Sequence, residues 1–443
     1  MKRFILLTIF VSLIIFHVQA QQAKYVFYFV GDGMGLARFA TTHAQNRLIT
    51  GSAAAGTALS AGIKTTINTV GMDGGRENNL KSIAEKAKEN GFKVGIISSV
   101  GIDHATPAAF YAHQPHRGNY YQISLELTTS GFDFFGGGGF GDPFNDNTAT
   151  ISVFDLAPQN GYTITTTREA FENLAPGSGK VISIGPVTES SGALRYAIDQ
   201  DESDVPLEDF VGKAIKMLDN ETGFFIMCEE GKIDWAAHSN DAATVVHNVI
   251  SLSKSVEKAL DFYHKHPNET LIIITADHET GGLALGWAGT HYESDLKLLE
   301  LQKTSSYIFT NIIDSLMKIP ENRNSDFLMK LVEEYFGLGG ETGLTLSAHE
   351  QKLFNEAYAA LEGTSNKSDE ELYIAYNGSN PLTVTATRIL NNRAGLSWCT
   401  WSHTAIPVPV FAIGAGQEMF NGYYDNTDIP KKIEVLMGLG RME

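Results

Sequence analysis

The stretch Leu271-Ile272-Ile273-Ile274-Thr275-Ala276-Asp277-His278-Glu279-Thr280-Gly281-Gly282 decides the reading of this chain. A short β-branched run reads as a buried strand, and it ends in an acid and an imidazole followed by two turn-forming glycines. The same grammar recurs: Tyr25–Val30 runs into Asp32, Lys93–Val100 into His104 and Thr106, and Phe224–Met227 into Glu229 and Asp234. Helical patterns over Asn79–Asn90, Leu207–Leu218 and Asp241–Tyr263 separate these runs. The last of them repeats Val245, Val246, Val249, Ile250, Leu252, Val256 and Leu260 as an apolar face. Alternating strands and helices predict an α/β fold with a mostly parallel central sheet flanked by helices. Ligands of such sheets bind beyond the carboxyl ends of the strands. Distant segments therefore deliver four carboxylates and several imidazoles to one place. Like charges so gathered need cations among them, and the chain reads as built around bound metal ions.

Outside the sheet pattern the sequence divides readily. Lys2 and Arg3 precede the apolar Phe4–Val18, and Val18-Gln19-Ala20 resembles a small-residue cleavage site. Residues 1–20 are expected to be a secretory signal peptide cleaved after Ala20, giving an exported, periplasmic or extracellular protein over residues 21–443. No later segment is long and apolar enough to be read as a transmembrane span. After Ala284 the pattern turns helical, and it regains its strand character at Val408–Ile413. A mainly helical insertion at about 285–396 is expected, with Thr364–Glu371 as a polar loop inside it. Gly136–Gly139 reads as a flexible turn. The net charge of −18 argues against nucleic acid or an anionic membrane as partner. It does not exclude a small anionic substrate, because bound metal inverts the local field. With only Cys228 and Cys399 there is no disulfide framework, and a bridge between them is not the expected state.

Each chemistry-bearing motif has a duller competitor. Gly31-Asp32-Gly33-Met34-Gly35 suggests a dinucleotide loop, but an acid there repels a pyrophosphate, and a metal suits Asp32 better. Asp234 and His238, four apart, share a face if Asp234 opens a helical turn, and then make a pair of zinc ligands; otherwise they form a surface hydrogen bond. Ser52, in Gly51-Ser52-Ala53-Ala54-Ala55-Gly56-Thr57-Ala58, stands at a helix start, either as an N-cap or as a hydroxyl whose anion the helix favours. Arg117 has the planar fork that grips two phosphoryl oxygens, although a surface arginine is the default. His403, just before the last strand, gains weight only from the others. His113 and His116 read as packing or surface histidines.

Together these motifs resemble those of the alkaline phosphatase family. The resemblance rests on Val30–Gly35, Ser52–Ala58, His104-Ala105-Thr106-Pro107-Ala108-Ala109, Glu229 with Asp234 and His238, Thr275–Gly282 and Ser402-His403-Thr404, in the family's order. It implies a secreted hydrolase of small phosphate monoesters with Ser52 as the phosphorylated nucleophile and Arg117 as the phosphate clamp. It implies one zinc on Asp234, His238 and His403. A second zinc would use Asp32, Asp277 and His278, joined by Ser52 on deprotonation. A third site, usually magnesium, would draw on Asp32, Thr106 and Glu229. His104 sits where many bacterial relatives carry Asp, so another divalent ion could replace magnesium, since imidazole suits zinc better. Two departures stand out: Gly51 replaces the usual acid before the nucleophile, and the Asp32–Ser52 segment is short. The family resemblance leaves a homodimer open. The alternatives are a phosphodiesterase or sulfatase of the same superfamily, or a catalytically silent phosphate- or metal-binding homologue.

Overall fold

Parallel pairing in register is what brings the acids together. The computed structural model describes residues 22–35, 40–145, 151–341 and 343–439. The segment read as a signal peptide lies outside the described residues. Eight strands form one sheet: β1 (Tyr25–Gly31), β2 (Lys93–Ser98), β3 (Phe134–Gly137), β4 (Tyr162–Thr165), β5 (Lys180–Ile184), β6 (Phe224–Glu230), β7 (Thr270–Thr275) and β8 (Val410–Gly414). Their spatial order is β8-β7-β1-β6-β2-β3-β5-β4. All pairs are parallel except β7 with the edge strand β8. Val30 pairs with both Glu229 and Thr275, and Ser98 also pairs with Glu229. The residues just beyond Val30, Ser98 and Thr275 therefore emerge at one edge of the sheet.

Both faces of β1 are buried, which is why its sequence is a continuous rather than alternating apolar run. Val26, Tyr28 and Val30 pack with Ile96, Phe110 and Phe225, while Tyr25, Phe27 and Phe29 pack on the opposite face with Phe210, Phe224 and Phe262. Six helices pack on the sheet or carry site residues: α1 (Ser52–Ala61), α2 (Ile83–Glu89), α3 (Ala105–Ala108), α4 (Leu207–Leu218), α5 (Lys232–His238) and α6 (Ala242–Tyr263). Beyond β7, helices Ser306–Leu316, Ser325–Phe336, Ala348–Leu361 and Pro381–Arg393 gather around their own apolar cluster of Phe309, Ile313, Val332, Phe336 and Phe354. No helix among the described residues is long and apolar enough to cross a membrane.

Several local expectations need correction. Gly136 and Gly137 are not a free turn but the end of β3. Gly137 has φ +113°, and a Cβ there would stand 2.0 Å from the Ser98 carbonyl oxygen, so only glycine fits beside β2. Helix α2 starts four residues later than Asn79, because Ser82 and Glu85 form a reciprocal cap that fixes the first turn. The same device, Ser368 with Glu371, starts a helix at Asp369–Tyr376 inside the stretch read as a loop. On α6, Val246 and Ile250 are exposed. Val245, Val249, Val256 and Leu260 pack against the core as expected, and the fully buried line runs through Thr244, Asn248, Ser251, Leu252, Ser255, Ala259 and Phe262. Cys228 is buried, Cys399 is exposed, and both are free.

Candidate metal centre

Three groups of ligating atoms meet at the carboxyl edge of the sheet. Asp32, Asp277 and His278 are fully buried there. His278 Nε2 lies 3.1 Å from Asp277 Oδ2, 3.5 Å from Asp32 Oδ1 and 3.3 Å from Ser52 Oγ. The short Asp32–Ser52 connection therefore still brings both residues to one imidazole. Asp277 Oδ1 accepts from the backbone of Gly33 and of His278, which aims its other oxygen into the cluster. Gly33 has φ +71°, and a Cβ there would come within 3.0 Å of Asp234. Glycine is what lets the β1 turn close over the site.

A second group is presented by α5, whose turn places Asp234 and His238 on one face as the four-residue spacing requires. His238 Nε2 is 3.4 Å from Asp234 Oδ2, and His403 Nε2 is 3.6 Å from Asp234 Oδ1. The two Nε2 atoms are 3.1 Å apart. Each ring spends its Nδ1 on a carbonyl oxygen, His238 on Trp401 at 2.6 Å and His403 on Thr50 at 2.8 Å. A carbonyl only accepts, so both Nδ1 atoms carry hydrogen and both Nε2 atoms present lone pairs to each other. Only a proton or a cation between them makes that stable. Asp234, His278 and His403 also converge closely enough to share one ion.

The third group is Asp32, His104 and Glu229, with Thr106 beside it on α3. Two adjacent acids on β6 differ in how they are satisfied. Glu230 is fully hydrogen-bonded by Ser99, Asn248 and Ser251. Glu229 bonds Ser98 through one oxygen and leaves the other without a partner. The buried atoms lacking partners include both Asp32 oxygens, Asp277 Oδ2, Glu229 Oε1, Thr106 Oγ1 and His104 Nδ1. Orphaned buried polar atoms are costly, and the carboxylate oxygens among these belong to residues whose ligating atoms cluster around Asp32. Oxygen-rich and imidazole-rich donor sets of this kind fit divalent cations.

The electrostatics agree. Burial, reinforced by Asp277, Asp234 and Glu229, pushes Asp32 well above the usual carboxylate range. Burial likewise lifts Asp277 to about 7 and Glu229 to about 8. Burial and then Arg117 hold His104 down to about 3. Asp234 goes the other way: burial raises it, but the hydrogen bond and charge of His238, with His278 and His403, hold it low. Acids so placed stay ionised near neutrality only beside positive charge.

Ser52 is not the N-cap. Gly51 takes that position and Ser52 is the first residue of α1, buried, with its hydroxyl toward His278. Nothing lies within 4 Å of where a Gly51 side chain would begin. Arg117 is instead tied by Nη2 to His104 Nε2 at 2.7 Å. A guanidinium only donates, so that nitrogen accepts. His113 is a packing residue between Glu85 and Glu126, as read, and His116 is exposed. Two residues not singled out in the sequence complete the cluster. Ser98 bonds Glu229, and Thr280 Oγ1 donates to Asp234 Oδ1 at 2.5 Å while meeting His278 Nδ1 at 3.3 Å. Thr280 lay within the decisive stretch, but a threonine that orients ligands has no spacing signal of its own.

An open α/β sheet whose carboxyl edge combines a serine hydroxyl, an arginine and clustered acids and imidazoles has the parts that hydrolysis of a phosphate ester calls for. The chain belongs to the alkaline phosphatase family, whose family model matches residues 32–132 and 154–439. It is 31% identical over 400 residues to alkaline phosphatase 4 of Bacillus subtilis, covering 89% of this chain and 77% of that relative. Alkaline phosphatase of Schizosaccharomyces pombe is 27% identical over 418 residues, covering 90% and 73%. The crystal structure of a cold-active alkaline phosphatase from the psychrophile Shewanella sp. superposes with a TM-score of 0.76 at 26% identity, covering 93% of this chain and 99% of that one. The chain is thus a phosphoric monoester hydrolase, and the expected fold is the observed one.

Proposed function

We propose that this chain is an exported, metal-dependent phosphate monoesterase that works through a phosphoserine on Ser52. The observation that carries the reading is the meeting of Ser52 Oγ with His278 Nε2 at 3.3 Å, beside buried acid oxygens that lack any partner. Asp234, His238 and His403 would hold one zinc, and Asp32, Asp277 and His278 a second, with Ser52 completing it. Asp32, Thr106 and Glu229, with His104 alongside, would hold magnesium or another divalent ion. Mutants of the TAB5 alkaline phosphatase in which a histidine is replaced by glutamate or aspartate were solved with Mg bound in the M3 site, so a third site that carries His104 leaves room for a different divalent ion. When bound, such cations lower the pKa of a hydroxyl or water and neutralise phosphoryl charge.

The chain's own groups then have distinct tasks. Ser52, at the first turn of α1, attacks phosphorus, so the Oγ–P bond forms while the ester O–P bond breaks and the alcohol leaves with a proton. Unpaired N–H groups of that first turn favour the developing anion. Arg117 donates to equatorial phosphoryl oxygens, and its Nη2 also donates to His104 Nε2, which steadies the guanidinium. Water then splits the phosphoserine and releases inorganic phosphate. Thr280 keeps Asp234 and His278 in place throughout. Residues 1–20 would direct export, and about 285–396 would be the helical insertion.

The test is turnover of a chromogenic phosphate monoester by the full chain supplied with zinc and magnesium. Acid quenching should trap one phosphate on Ser52. A rate no higher than that of the Ser52→Ala variant, or label elsewhere on the chain, overturns the reading. Faster turnover of a phosphate diester or a sulfate ester points to the other members of the superfamily.

A further inference from the structure

A groove of about 660 Å³ opens from His238 and His403 and runs over Leu48, Ile49 and Ile67. Leu48 is 77% and Ile49 46% exposed, large apolar side chains left facing solvent beside a polar site. The strip that carries them is fixed to the site at one end, because the Thr50 carbonyl accepts from His403 Nδ1 at 2.8 Å. At the other end the Ala44 N–H donates to the Arg47 carbonyl at 3.1 Å, and Gln45 N–H donates to the Thr65 carbonyl at 2.8 Å. The groove floor is also held, since Asn46 Oδ1 accepts from the Ile67 N–H at 3.2 Å.

The position of this groove relative to the nucleophile gives it a role. Attacking and leaving oxygens of a transferred phosphoryl group lie roughly in line on opposite sides of phosphorus. Ser52 Oγ is placed by His278, while His238 and His403 form a groove wall. With Ser52 beside His278 and the groove opening from the neighbouring His238 and His403, an ester held at Ser52 has this groove next to it to receive its organic group. An apolar group there covers Leu48, Ile49 and Ile67 and removes their surface from water, which a small polar group cannot do. We infer that the groove is a leaving-group subsite that selects phosphate monoesters of bulky apolar or aromatic alcohols over those of small polar ones. This inference rests on the phosphatase reading above and adds a substrate class to it.

The experiment compares the full chain, loaded with zinc and magnesium, with its Leu48→Ser/Ile49→Ser double variant. Both side chains are exposed, so the fold does not depend on them. The ratio of kcat/KM on 1-naphthyl phosphate to kcat/KM on glycerol 2-phosphate should fall about tenfold in the variant, equivalent to ~1.4 kcal/mol. A ratio within about twofold of the native one overturns the inference. Calorimetric binding of 1-naphthylphosphonate against methylphosphonate needs no turnover and separates the two claims. A native preference of about tenfold that the variant loses supports the subsite even if no ester is hydrolysed, in which case the phosphatase reading alone falls. Sedimentation closes the remaining route: if the substitutions split a dimer and leave the preference intact, the patch is a subunit contact and the inference is wrong.

Discussion

Lys232 offers a stringent test of how the helix that carries Asp234 and His238 is anchored. It opens α5, two residues before Asp234, and its side chain is only 1% exposed. Its Nζ lies 2.6 Å from Glu189 Oε2, over the Tyr196 ring at 3.6 Å and near Trp235 at 4.9 Å, with Tyr307 of the helical segment at 5.9 Å. Burial lowers the Lys232 pKa despite Glu189, and burial raises Glu189 despite Lys232. Both shifts run toward the neutral forms, so desolvation exceeds the attraction and the pair by itself adds little stability. Breaking it is another matter. Lys232→Met strands the Glu189 carboxylate, whose side chain is 9% exposed and whose Oε1 already lacks a partner. Loss of one member of such a pair costs about 3–5 kcal/mol, whereas replacing both by apolar groups is often nearly neutral. Urea unfolding of the metal-loaded chain should show Lys232→Met destabilised by ~3–5 kcal/mol and Lys232→Met/Glu189→Leu restored to within ~1 kcal/mol of native. A single variant costing less than ~1 kcal/mol, or a double variant as unstable as the single, refutes the reasoning.

Three further outcomes follow from the geometry. Thr280→Val keeps the shape but removes the hydroxyl from Asp234 and His278, and competition with a chelating dye should show zinc affinity reduced ~10–100-fold; unchanged affinity contradicts its orienting role. Gly51→Asp finds open space and ordinary extended backbone, φ −128°, and restores the acid that the family resemblance expects before the nucleophile. The inhibition constant of inorganic phosphate should fall ~3–10-fold through a better-oriented guanidinium, and an unchanged or higher constant counts against Arg117 as the clamp. Burial alone would lower His113, but hydrogen bonds and charges from Glu126 and Glu85 raise it to about 10. A raised imidazole pKa stabilises the fold fully below its unfolded value of ~6.5, and that contribution is lost as pH rises through about 10. His113→Gln should therefore cost ~1.5–3 kcal/mol near pH 6 and progressively less toward pH 10, and a cost independent of pH is the contrary result.

How much of this was legible depended on what each residue type can signal. Strand ends followed by Asp, His or Glu marked the cluster because parallel register converts distance in sequence into adjacency at one edge. The candidate acids are buried, and an oxygen without a partner is what sets Glu229 apart from Glu230 in the structure, where the sequence picked out Glu229 through the strand-end reading and the family resemblance. Ser98 and Thr280 stayed hidden for a related reason, since hydroxyls that orient ligands occur at no fixed spacing. On α6 the apolar face placed Val245, Val249, Leu252, Val256 and Leu260 against the core, but small and polar residues such as Thr244, Asn248 and Ser255 also face inward, leaving Val246 and Ile250 outside. The helix at Asp369–Tyr376 was readable from its cap, Ser368 with Glu371, but its polar composition concealed it. The hold of His104 on Arg117 needed coordinates, because the two are brought together by the turn after α3 rather than by any motif.

The central claim is that distant strand ends gather cations around one serine. Elemental analysis of the intact folded chain, equilibrated with zinc and magnesium and freed of excess by gel filtration, tests it most directly. The account predicts about two zinc ions per chain and a third divalent ion, with zinc lost when Asp234 and Asp277 are both replaced by asparagine. A folded native chain that retains less than about one zinc, or a double variant that retains as much as the native chain, contradicts it.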